Sequence, residues 1–245
     1  MSDTKYAYAV ARIRALENGL FSSAQIEQLL SVKSYEGALR FLTEHGWGDA
    51  DTPLSAEAIL TREKTKTWET VRDLLKGDDA ILAVLSYGDL YHNLKAAIKD
   101  AAVPGSHGNV YFDDCEVDGV RMAKIVAEKD WQALPAHMRE AAKEASETVL
   151  HTSDGQLCDI IVDRAALAAI YECGKNASDA IIRDYAETTV AVADIKIAVR
   201  SQKTGKHLDF MRRAMAPCDS LNIERLSQAA LGGAGAICEY CLLYT

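Results

Sequence analysis

Apolar residues recur along this chain three and four positions apart, the spacing of a helix face. The stretch SAEAILTREKTKTWETVRDLL (55–75) opens with a serine cap and an acidic first turn, then sets Ile59, Leu60, Trp68, Val71, Leu74 and Leu75 at helical intervals. It predicts one helix over that range. The stretch SDAIIRDYAETTVAVADIKIAVRSQ (178–202) predicts a longer one, with Ser178 as its cap and Gly205 of KTGK as its stop. Within it, TTVAV (188–192) is β-branched and strand-like in isolation, but helical pattern flanks it on both sides. Clear loops are few: GWGDADTP (46–53), VPGSHGNVYFDD (103–114), HTSDG (151–155) and MAPCDS (215–220). The first two separate candidate modules. The predicted fold class is all-α.

The pattern also repeats. RIRALE (12–17), NLKAAI (93–98) and DIKIAV (194–199) each run polar, aliphatic, basic, then mainly small or apolar. One slot holds Arg12, Asn93 and Asp194, the next Ile13, Leu94 and Ile195, the next Arg14, Lys95 and Lys196. A second element follows each copy. IEQLLSVKSYEGALRFL (26–42) aligns with MAKIVAEKDWQALPAHM (122–138), and more loosely with LSQAALGGAGAICEYCLL (226–243). The expected organisation is repeat 1 over 1–50, a long helix plus repeat 2 over 51–150, and a long helix plus repeat 3 over 151–245, the last leaving its C-terminal end open.

One stretch looks chemical. YGDLYHNLKAAIK (87–99) gathers Asp89, His92, Asn93 and Lys95 within two helical turns, with Asp89 three and four residues from His92 and Asn93. An acid, an imidazole, an amide and an amine on one face suggest an active site. Repetition argues for a scaffold instead. His92 aligns with Ala11 and Ala193, whereas Asn93 and Lys95 belong to slots filled in every copy.

Composition narrows the classes. The 245 residues suffice for one large domain or two small ones, and the 49% apolar and 26% charged residues are ordinary for a globular protein. Four prolines, 7% aromatics and alanine-rich runs such as REAAKEASETV favour helix over sheet. A net charge of −9 disfavours nucleic acid as the main partner. No apolar run reaches the roughly 18 residues that span a bilayer, and the N-terminus lacks a secretory pattern, so the chain is expected to be soluble and intracellular.

Six cysteines at 115, 158, 173, 218, 238 and 241 suit reduced thiols. Cys238 and Cys241 form a C-x-x-C without the second ligand pair of a zinc site or the βαβ setting of a redox motif. Two small apolar side chains in a helix account for them. GGAG (232–235) lacks the preceding strand and following lysine of a phosphate cradle, which leaves a helix break or a close helix contact. No nucleotide-binding, metalloprotease or nucleophile motif stands out, and no catalytic residue, cofactor or metal is expected.

YGDLYHNLKAAIK resembles the hallmark Asp-x-x-Asn-Leu-Lys stretch of the C subunit of archaeal and bacterial V/A-type ATP synthases, a family that includes subunit d of eukaryotic V-type proton pumps. YAYAVARIRALENGLFSSAQIEQLL (6–30) resembles the family's N-terminus, and IRDYAETTVAVADIKIAVRSQKTGK (182–206) its second hallmark helix, where Asp194 replaces the family's Asn. Members normally continue with a further helical segment beyond the position of CLLYT, so contacts made by that segment are expected to be lacking.

The resemblance implies a non-catalytic rotor part: three similar helical domains arranged as a funnel, seated on the cytoplasmic end of the membrane proteolipid ring, with the central stalk docked in its cavity. It would pass torque between the ATP-hydrolysing head and the ion-carrying ring, peripheral to the membrane and without a span of its own. Arg12, Arg14, Asn93, Lys95, Asp194 and Lys196 are the candidates for facing a partner. Two other classes remain open on the residues alone: a helical-repeat adaptor with unrelated partners, and an enzyme using His92 with Asp89 or Lys95.

Overall fold

The computed structural model describes residues 6–75, 79–103, 110–112 and 115–244. Among the described residues the regular elements are α-helices and two short 3₁₀ turns, with no strand. The chain divides into two compact units, Met1–Asp78 and Asp79–Thr245.

The first unit runs through α1 (Ala7–Glu17), α2 (Ser23–Ser31), α3 (Tyr35–Glu44) and α4 (Ala56–Leu74). Serines set the helix starts. Ser22 accepts from the Gln25 N–H while the Gln25 side chain accepts from the Ser22 N–H, and Ser34 and Ser55 cap α3 and α4 through Gly37 and Ala58. The interior is thin. Leu39 and Ile59 are its buried apolar residues, and Phe21 packs on the rings of Phe41, His45 and Trp47 at 5.2–5.8 Å. Leu60, expected on the buried face of α4, is 51% exposed, because Ile59 takes the inward position. Polar bonds tie the 46–53 loop to α4. Glu63 accepts the Gly48 N–H at 2.8 Å, Lys66 donates to the Gly48 carbonyl at 3.0 Å, and Arg62 and Lys66 both pair with Asp49.

The second unit holds α5 (Asp79–Ala102), α6 (Gly119–Glu128), the 3₁₀ turns Trp131–Ala133 and Ala136–Met138, α7 (Arg139–Thr152), α8 (Gly155–Lys175), α9 (Ala180–Thr204), α10 (Leu208–Ala214), α11 (Ile223–Leu231) and α12 (Ala234–Tyr244). α5 is a central helix. Leu90, Tyr91, Leu94, Ala97 and Ile98 pack against Met122, Ile125 and Val126 of α6, Ala142 and Ala145 of α7, and Cys158, Ile161 and Val162 of α8. Each buried side chain of Leu or Ile size contributes roughly 1.5–3 kcal/mol, so this cluster outweighs any single cap or surface pair.

α8 and α9 form a close-packed hairpin. The cap of α9 is Asp179 rather than the expected Ser178: its carboxylate accepts the Ile181 N–H at 3.3 Å. TTVAV lies inside α9, since its flanks commit the segment to helix and Val190 is buried. Gly205 closes α9 in the left-handed region at φ +65°. Beyond it, α10 to α12 pack on α9 around Ala198, Met211, Met215, Leu226, Ala230 and Ile237. Gly232 ends α11, and Gly233 at φ +100° redirects the chain into α12, which makes GGAG a helix break. Cys238 and Cys241 lie on α12 and form no disulfide.

Candidate functional site

The suspected catalytic group sits on α5, where the 110–112 segment lies against it. The Nε2–H of His92 donates to the Val110 carbonyl at 2.9 Å, and the imidazole packs on the Phe112 ring at 4.9 Å. Asn93 is fully buried and holds the same segment twice: its Nδ2 donates to the Phe112 carbonyl and its Oδ1 accepts the Phe112 N–H, both at 2.8 Å. The amide thereby satisfies two backbone groups that no helix ladder serves. Of the expected loop over 103–114, residues 104–109 and 113–114 lie outside the described residues.

Lys95 points to α8. Its Nζ pairs with Asp163 at 2.7 Å, and one turn on, Lys99 pairs with Asp159 at 2.6 Å. These cross-helix pairs fix the rotation of α5 against α8 at the edge of their apolar contact. Lys95 and Asp163 also line an open groove of about 420 Å³ with Arg200 and Lys206.

The matching slots of α9 differ instructively. Asp194, in register with Asn93, is also fully buried, and its Oδ1 accepts the Ala216 N–H at 3.1 Å. Its Oδ2 is buried with no hydrogen-bond partner among the described residues. Burial pushes the carboxyl up to about 7, against the pull of the Ala216 N–H and the Arg164 charge. Lys196 is exposed and pairs with no described acid. On α1, Arg12 is exposed, and exposed Arg14 pairs with Glu17 at 2.7 Å.

The six sequence candidates therefore fall into two groups. Asn93 and Asp194, expected to face a partner, point inward and hold backbone. Each is a polar side chain on the inner face of a long helix, and each binds a segment 19 or 22 residues downstream. Arg12, Arg14, Lys95 and Lys196 remain at the surface. The sequence reading passed over this clamp, although one signal was present: a polar residue followed by an aliphatic one, recurring in register.

Two further features carry polar chemistry in the second unit. The Tyr91 hydroxyl, on α5, lies 2.9 Å from both His137 Nδ1 and the His137 carbonyl. Burial holds the His137 imidazole below its ordinary range. Beside it runs an open groove of about 460 Å³ floored by Ala141, Ala165, Ala168 and Ala169 and rimmed by glutamates and arginines. No helix among the described residues is long and apolar enough to cross a membrane.

No curated protein matches the chain. A sequence model of the ATP synthase (C/AC39) subunit family matches residues 9–244, so this chain belongs to the ATP synthase (C/AC39) subunit family.

Proposed function

We propose that this chain is a non-catalytic coupling part of a rotary V/A-type ATPase or ATP synthase. It stands between the central-stalk subunits and the membrane proteolipid ring, on the cytoplasmic side, and transmits torque between them. Its sequence falls into three helical rounds over 1–50, 51–150 and 151–245. The observation that carries the proposal is the use made of the hallmark residues. Asn93 and His92 are occupied in holding the 110–112 segment, and Lys95 in crossing to α8. Residues that resemble a catalytic group serve rigidity, which is what a torque-bearing part needs.

The surface basic positions Arg12, Arg14, Lys95 and Lys196 are the proposed partner-facing set. The α5–α8 pairs supply stiffness inside the second unit, and no cofactor is required. Affinity capture of the tagged native protein from solubilised membranes tests the assignment. Recovery of stalk and ring subunits together supports it, and recovery of neither removes it.

A further inference from the structure

Two carboxylates of α9 hold the segment between α10 and α11, and they do so in different ways. Glu187 accepts the N–H groups of Asp219 at 3.1 Å and Ser220 at 2.7 Å. Burial would raise its pKa, but the Ser220 hydroxyl, which also donates to it, and these two N–H groups outweigh that and leave it lowered, so Glu187 works as an anion. Asp194 stands two turns further along the same face. It is fully buried, and only Oδ1 is used, by the Ala216 N–H. The chain provides its own template for the unused oxygen. At the equivalent position on α5, Asn93 makes both bonds, accepting from the Phe112 N–H and donating to the Phe112 carbonyl. An ionised aspartate cannot donate; a protonated one can.

We propose that Asp194 is a proton-binding site: its Oδ2 carries a proton in the folded chain and donates it to the Ala216 carbonyl, closing a two-point clamp of α9 on the segment after α10 that opens on deprotonation. The shift of its carboxyl to about 7 agrees with this. Charged and titratable neighbours are few. α8 supplies Arg164, which favours the anion, and Tyr171, which packs with Val190 and Ala216; the clamped segment supplies Cys218, whose thiol burial raises. On α5, Lys95 and Lys99 are paired with Asp163 and Asp159. α10, α11 and α12 meet α9 through Met211, Leu226, Ala230 and Ile237, and the Tyr240 hydroxyl is taken up by Asn222.

The folded value lies above the ordinary 3.8, so the contribution of Asp194 is complete below that pH and is lost as pH rises to about 7. The test compares the full chain with Asp194→Asn, which keeps the donor at every pH. Melting temperatures are measured between pH 5 and 8; His137 is present in both proteins, so its contribution cancels in the difference. The wild type should fall several degrees relative to the variant as pH rises. At pH 5 the wild type should also show the infrared carbonyl stretch of a buried carboxylic acid, which D194N lacks. Melting curves that stay parallel across the range, absence of the infrared band, or failure of D194N to fold would each overturn the proposal. None of these outcomes depends on the rotor role.

Discussion

Gly174 of α8 faces Ala186 of α9 with no room between them: a Cβ added at 174 would lie 2.1 Å from the Ala186 Cβ. The hairpin at the centre of the second unit closes to this distance because one side lacks a side chain. In an open helix, glycine to alanine is favourable by about 1 kcal/mol. Here the clash must push the helices apart, and overpacking costs about 1–3 kcal/mol or more. Gly174→Ala should therefore lower stability despite the propensity gain, read as a reduced denaturation midpoint. An unchanged or raised midpoint would show that α8 and α9 do not meet this closely.

Asn93 and His92 hold the same segment with unequal importance. Asn93→Ala removes two bonds from a fully buried side chain to the Phe112 backbone, at roughly 0.5–1.5 kcal/mol each. His92→Ala removes one bond of a half-buried side chain and should cost under about 1 kcal/mol, leaving fold and assembly intact. Urea unfolding of both variants gives the order. Loss of a measurable turnover in His92→Ala at unchanged helicity would restore the enzyme alternative.

His137 gives the unit an acid-sensitive point. Its folded pKa is lowered from 6.5 by burial, so the unfolded chain takes up a proton first and stability falls as pH drops below about 6.5. His137→Asn keeps an acceptor near the Tyr91 hydroxyl but does not titrate. Its unfolding free energy should change less between pH 7 and pH 5 than that of the wild type. Equal changes would remove His137 from the acid response.

Arg14, Lys95 and Lys196 share a sequence slot but not a setting: a local pair on α1, a cross-helix pair to α8, and an exposed side chain on α9. Exposed pairs contribute roughly 0–1 kcal/mol, whereas a charge desolvated at a docking face costs roughly 2–5 kcal/mol when its partner is truncated. The triple change to alanine should weaken binding to central-stalk subunits more than it lowers the melting temperature, both measured at one ionic strength. Unchanged affinity with a lowered melting temperature would assign the slot to folding.

What the sequence disclosed was local. Ser55 as a cap, Gly205 as a stop, GGAG as a break and the helical fate of TTVAV all follow from chemistry within a few residues. What it withheld was non-local. The contact of Gly174 with Ala186 depends on how two helices pair, and Asn93 meets a partner 19 residues away in the chain. The repeat displayed equivalent positions but not their directions, because direction is set by the neighbouring helix. Asn93 and Asp194 consequently looked like surface candidates until their burial was seen.

Coupling without catalysis is tested by ATP hydrolysis and ATP-driven ion uptake in the same reconstituted rotary complex, with and without this chain. Hydrolysis by the catalytic head should persist without it, ion uptake should be lost, and adding the purified chain should restore uptake. Ion uptake that continues unchanged in its absence would rule out a coupling role.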